Sequence, residues 1–174
     1  GSTTIQATDA VTATLTLPSA TGTLVSTTSP ASGNVIQVVN ADYGTETSSS
    51  SSTFADTGLT ATITPKFSTS KILVLITQEG CAKATNNTAL QLRLLRNSTT
   101  IFNIEDSGGA TGDTSQNYFG ACSASYLDSP ATTSAVTYKT QFASRTNNAA
   151  VYVQAYGSNS GYTRSTITLM EIAA

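Results

Sequence analysis

From Val35 onward the chain alternates apolar residues with small or polar ones, and clusters of Ser, Thr, Asn and Gly interrupt the alternation at short intervals. Leu59, Ala61 and Ile63 interleave with Thr60, Thr62 and Thr64, the period of a strand with one buried and one wetted face. Ile72-Leu-Val-Leu-Ile76 is apolar at every position and predicts a central strand covered on both sides. The pattern predicts strands over residues 35–41, 57–64, 71–80, 89–96, 100–104, 117–127, 136–144, 150–156 and 163–172. Turn-forming clusters separate them at 45–52, 83–88, 106–115, 128–134, 146–148 and 157–161, and the serine run 48–52 reads as a mobile loop. No segment longer than a turn or two carries a helical stripe. Strands this frequent predict an all-β, antiparallel jelly-roll sandwich. Its expected core is Leu59, Ile63, Ile72, Val74, Leu92, Phe142, Val151 and Leu169.

The last predicted strand is apolar on both faces, with Ile167 and Leu169 on one side and Met170 and Ile172 on the other. That pattern suits a strand held between a core and a partner chain. Tyr152, Ile167 and Leu169 are therefore the expected subunit-interface residues. Residues 1–33 read as an N-terminal stem and 34–174 as the sandwich domain, with Ser29-Pro30-Ala-Ser-Gly33 as the turn cluster between them. Within the stem, Val11-Thr-Ala-Thr-Leu-Thr-Leu17 alternates with period two but has too few apolar residues to fold alone. Gly1-Ser2 reads as a cloning scar.

Composition narrows the chemistry. Ser and Thr make up about a third of the 174 residues, charged residues only 10%, and the net charge is −2. Nothing in that balance favours nucleic acid or an anionic membrane, and no apolar run approaches the roughly 20 residues of a membrane-spanning helix. The chain has no histidine, which removes imidazole bases and the commonest zinc ligand. No enzymatic activity and no cofactor are expected. A minor alternative is calcium held by Glu105, Asp106 and Asp113 around Ser107-Gly-Gly-Ala-Thr-Gly112, but the spacing fits no standard calcium loop and a solvated hairpin loop is favoured.

Cys81 and Cys122 read as buried free thiols, although a disulfide is geometrically open if their strands are neighbours. Asn86-Asn-Thr88 and Asn97-Ser-Thr99 match the glycosylation pattern by chance in so hydroxyl-rich a chain. Arg93 and Arg96 are expected on a wet or partner face, where either could pair with Glu171 or Glu79 across a subunit contact or simply line a solvated sheet face.

Ile63-Thr-Pro65, Lys71-Ile-Leu-Val-Leu75, Leu90-Gln-Leu-Arg-Leu-Leu-Arg-Asn97 and Val151-Tyr-Val-Gln-Ala-Tyr-Gly157 are similar to the C1q/TNF-like jelly roll, with Leu and Ile where that family has aromatics in its central strand. A second resemblance covers more of the chain. Thr14-Leu-Thr-Leu-Pro-Ser-Ala-Thr-Gly-Thr-Leu-Val25 resembles the segment that precedes tailed-bacteriophage fibre tips, and Gly33-Asn-Val-Ile-Gln-Val-Val39, Asp56-Thr-Gly-Leu-Thr-Ala-Thr-Ile-Thr-Pro65, Ser70-Lys-Ile-Leu-Val-Leu75, Tyr126-Leu-Asp-Ser-Pro130 and Ile167-Thr-Leu-Met-Glu-Ile172 resemble blocks of the fibre or spike tip domain itself. The resemblance implies a homotrimeric virion protein, attached to the rest of a phage tail and acting in attachment to a host glycan or outer-membrane protein.

Fibre tips meet receptors through loops, so the expected contact residues are Asp106, Asp113, Asn117, Asn147, Asn148, Asn159 and Tyr162. Amides and carboxylates there would face sugar hydroxyls, and Tyr162 would offer a ring for stacking. Two alternatives carry different expectations. A trimerisation, capping or decoration module would assemble without receptor contact, and a depolymerase would use Asp106 and Asp113.

Overall fold

The computed structural model describes residues 30–155 and 163–174. The predicted stem therefore lies outside the described residues except for 30–33, as do Tyr156, Asn159 and Tyr162.

Among the described residues ten strands form two antiparallel sheets. They are β1 (Val35–Tyr43), β2 (Thr47–Ser49), β3 (Ala55–Ile63), β4 (Lys71–Lys83), β5 (Thr88–Arg96), β6 (Thr99–Thr111), β7 (Asn117–Asp128), β8 (Val136–Ser144), β9 (Val151–Val153) and β10 (Ser165–Ile172). The larger sheet runs β1-β10-β4-β9-β2 with β7 on the other side of β4, and the smaller runs β3-β8-β5-β6. This is the all-β jelly-roll sandwich that the alternation predicts, and no helix occurs among the described residues.

β4 is central, as its apolar run requires: it lies between β10, which pairs along residues 71–77, and β7. Beyond β10 the same side of β4 is taken by β9, paired at Ala82 and Lys83. Gly80 makes this junction possible. Its φ is +60°, and a Cβ there would lie 2.4 Å from the Ala155 backbone nitrogen.

All eight predicted core residues are buried. They fall into two apolar layers, one around Ile72, Val74, Tyr138, Ile167 and Leu169, the other around Leu92, Phe142, Val151 and the two cysteines. Between the layers Thr140 donates to the Gln78 carboxamide oxygen at 2.9 Å, and the amides of Gln78 and Gln154 donate to Ser165 Oγ at 2.9 and 3.0 Å. Ser165, Gln78 and Thr140 are fully buried, and this polar chain links both sheets.

Several strand limits differ from the sequence reading. β6 continues to Thr111, through the stretch expected to be a loop, because β5 pairs with it as far as Thr88↔Thr111. The serine run contains β2, which pairs with β9 and is not simply a loop. β9 is only three residues long, where a strand over 150–156 was expected.

The arginines also differ. Arg96 pairs with Asp128 of its own chain at 2.9 Å, and Arg93 bonds to Gln141 and stacks over Phe54 at 3.9 Å. Within the chain neither reaches Glu171 or Glu79, and the burial of Glu171 removes it as a partner across a subunit contact. Glu171 is fully buried and accepts from the Lys66 amide at 2.8 Å and the Gln37 side chain at 2.5 Å, fastening the turn after β3. Burial raises its pKa, but the nearby Ser70 side chain and the hydrogen bonds from Gln37 and the Lys66 and Phe67 amides outweigh it and hold the carboxyl below its ordinary value.

Candidate functional site

The strand directions give the sandwich two dissimilar ends. At the lower end Gly33 N–H donates to the Ala173 carbonyl at 2.8 Å and Ala173 N–H to the Asn34 carbonyl at 2.9 Å. The chain therefore comes into the domain beside its own last strand, with the turns at 64–70, 97–98 and 129–135 nearby. At the upper end the turns 84–87, 112–116 and 145–150 gather with the segment 50–54. Short backbone bonds join them: Asn148 N–H to Ser50 O at 2.7 Å, Asn87 N–H to Thr111 O at 3.2 Å, and Arg145 N–H to Ala89 O at 3.0 Å.

The described candidate contact residues lie toward this upper end, but most already have structural tasks. Asn147 Oδ1 accepts from the Ser52 amide at 2.8 Å, and Asn148 holds a left-handed turn at φ 65°. Asn117 donates to the Gly109 carbonyl at 3.2 Å, fixing the first residue of β7 against β6. Asp106 projects from β6, not from a loop, and accepts from Gln91 at 2.7 Å. Asp113 is an exposed residue of the β6–β7 turn. Glu105 folds back on its own strand to accept from the Asp106 and Ser107 amides. The described residues contain no cluster of three potential metal ligands, so Glu105, Asp106 and Asp113 are not gathered around one point.

What the upper turns do form is a shallow cleft of about 370 Å³ lined by Asn87, Thr88, Ala89, Ala110, Thr111, Gly112, Arg145 and Thr146. From the sequence, Asn87 and Thr88 stood out only in a chance glycosylation pattern and Thr111 and Gly112 only in a turn-rich loop, while Arg145 and Thr146 were not singled out. Arg145 stands alone among small polar residues, and that isolation was the signal available. Asn87 adopts φ 53°, a left-handed turn conformation that brings β4 back into β5. Thr88 is locked to Ser144 at 2.9 Å, which holds the β8–β9 turn against β5.

The second notable surface is the outer face of the larger sheet. The register aligns Val38, Met170, Leu73 and Leu127 in one row across β1, β10, β4 and β7. Val38 is 55% exposed and Leu127 54%, and Val35 on the same sheet is 53% exposed. Above that row the face becomes a shallow groove of small side chains, including Thr77, Ser123, Ser125, Thr166 and Thr168.

Ile167 and Leu169, expected at a subunit contact, are fully buried in the core of the single chain, so that expectation is corrected. Side chains alternate across the sheet, and the outward positions of β10 are Met170 and Ile172. Tyr152 is half-buried on β9, opposite Ser48 and Ala82.

Cys81 and Cys122 are buried free thiols on the paired strands β4 and β7. The adjacent Cys122 sulfur, together with burial, raises the Cys81 thiol well above its ordinary range. Such a thiol is a poor nucleophile.

No protein-family model matches the sequence, and no curated protein matches it. Solved structures of infectious bursal disease virus are similar in outline. The VP2 subviral particle aligns at a TM-score of 0.44 and 10% identity, over 79% of this chain and 41% of that chain. The Gt strain structure aligns at 0.41 and 15% identity, over 94% of this chain and 43% of that chain. This chain thus spans less than half of the length of either.

Proposed function

We propose that this domain is the self-associating tip of a virion tail fibre or spike, and that it attaches the virion to a host surface through its upper turns. The observation that carries the reading is the polarity of the sandwich. The chain comes in at the lower end, beside Ala173, while the polar turns and their cleft occupy the opposite end. A stem leading into Pro30 would leave those turns pointing away from the particle. The sequence blocks resembling fibre tips support the fibre-tip assignment itself.

Copies of the chain meet, in this reading, as a homotrimer through the apolar row Val38–Met170–Leu73–Leu127. An exposed, uncharged apolar band on a sheet face marks an interaction surface, and closed threefold symmetry avoids open polymers. Three copies would present the upper cleft three times, so weak single-site contacts gain strength through avidity.

The test is direct. Fluorescently labelled protein is applied to a panel of bacterial strains, and its mass is measured by sedimentation. Trimer that decorates a strain and blocks phage adsorption to it supports the proposal. Trimer that binds no strain would leave a capping or decoration module, and a monomer at micromolar concentration would overturn the assembly. Lawns of capsulated cells should show no clearing halos.

A further inference from the structure

The upper cleft displays an unbalanced charge. Arg145 makes one side-chain hydrogen bond, Nη1 to Ser107 Oγ at 2.7 Å, and no ion pair among the described residues. Four of its five N–H donors remain available. Behind the wall lies Lys83, fully buried, its ammonium donating to the Thr111 carbonyl at 2.9 Å and likewise without an ion pair among the described residues. Asp113, the acid in the turn beside Gly112, pairs with neither. A buried ammonium with no counter-charge is costly. An anion in front of Thr111 would offset that cost.

The rest of the lining offers acceptors. Thr146 spends its hydroxyl proton on the Asn87 carbonyl at 3.1 Å, and Thr111 spends its own on the Thr114 carbonyl at 3.0 Å. Both oxygens keep lone pairs toward which a ligand hydroxyl can donate. Asn87 adds a carboxamide, with Oδ1 3.9 Å from where a Gly112 Cβ would stand. The complementary ligand carries an anionic acceptor for Arg145 and several hydroxyl donors for the threonines. Inorganic phosphate, with one or two P–OH groups at neutral pH, offers fewer donors than a sugar ring, and a neutral sugar lacks the charge. At about 370 Å³ the cleft is at the small end of ligand sites, suited to one ring.

We infer that the cleft between the β4–β5, β6–β7 and β8–β9 turns binds a carboxylated sugar unit of an acidic surface polysaccharide, with Arg145 holding the carboxylate. This deepens the attachment reading and rests on it for biological meaning, but its chemistry is tested separately.

The probes are methyl β-glucuronide and methyl β-glucoside, which differ in a carboxylate for a hydroxymethyl group, together with inorganic phosphate. Binding to the full chain is followed by ligand-observed NMR at low salt. Glucuronide should bind about tenfold or more tighter than glucoside, as expected for a charge-assisted bidentate contact. Arg145→Gln should abolish that preference with an unchanged melting temperature, and Arg145→Lys should keep part of it. Equal binding of the two glycosides, a preference that survives Arg145→Gln, or no glucuronide signal at all would overturn the inference. Phosphate competing as well as glucuronide would overturn the sugar assignment. If wild-type and Arg145→Gln protein bind cells equally, this inference falls and the attachment reading stands. If wild-type protein binds no cells, the attachment reading falls whatever the glycosides show.

Discussion

Leu127→Lys separates folding from assembly on the outer sheet face. Leu127 closes the apolar row on β7 and is 54% exposed in the single chain. Full burial of a leucine is worth about 1.5–3 kcal/mol, so covering its exposed half with a partner contributes about 1 kcal/mol per copy. Over three copies that is about 3 kcal/mol, or about a hundredfold in the assembly constant at 1.4 kcal/mol per power of ten. The lysine would also bring an ammonium into the contact, so a hundredfold is the minimum expected.

In the isolated chain the same change lies on the outward side of an edge strand and should alter stability by no more than about 0.5 kcal/mol. Because the dissociation constant of a trimer scales with the square of concentration, sedimentation across a concentration series should show trimer dissociating at about tenfold higher concentration, with the far-UV spectrum unchanged. Urea unfolding of the dissociated chain should give the wild-type midpoint. Thr62→Lys is the control, because Thr62 faces outward on the smaller sheet, where it bonds only to Thr137 across the strand pair. If Leu127→Lys assembles like wild type, the partner does not sit on this face.

Val74→Asp should prevent folding, since it leaves an unpaired charge in a fully buried position at a cost of roughly 3 kcal/mol or more; soluble protein with a wild-type spectrum would refute the placement of β4. Glu171 has a folded pKa below its ordinary 4.5, so its contribution is present above that value and is lost as pH falls through the folded value. Urea midpoints measured from about pH 7 down to about pH 3 should fall more steeply in wild type than in Glu171→Gln, and equal slopes would show that another acid governs the acid limb. Gly80→Ala places a Cβ against the Ala155 backbone at φ +60° and should cost about 2 kcal/mol or more, read as a lower thermal midpoint; an unchanged midpoint would mean that the β9 tail moves freely.

Much of the fold was legible because strand periodicity is local. Leu59, Ala61 and Ile63 alternate with threonines whatever the chain does elsewhere, and burying that stripe requires a sandwich. The unbroken apolar run of β4 likewise fixed its place in the middle of a sheet. Sequence could also say that the last strand is apolar on both faces. It could not say which face turns inward, because alternation is symmetric until a second sheet covers one side. Pairing with β1 and β4 put Ile167 and Leu169 in the core and left Met170 and Ile172 outside.

The candidate site was less legible for the same reason. Asn147 looks like a ligand group in one dimension, yet its carboxamide oxygen ties the β8–β9 turn to the Ser52 amide, while Asn148 ties the same turn to Ser50 through its backbone N–H. Arg145, Thr111 and Asn87 become one cleft only because three turns, far apart in sequence, close over the same end of the sandwich. Local pattern determined the strands. The two ends, the inward faces and the unbalanced charges of Arg145 and Lys83 depend on which distant groups come together, and only long-range packing decided that.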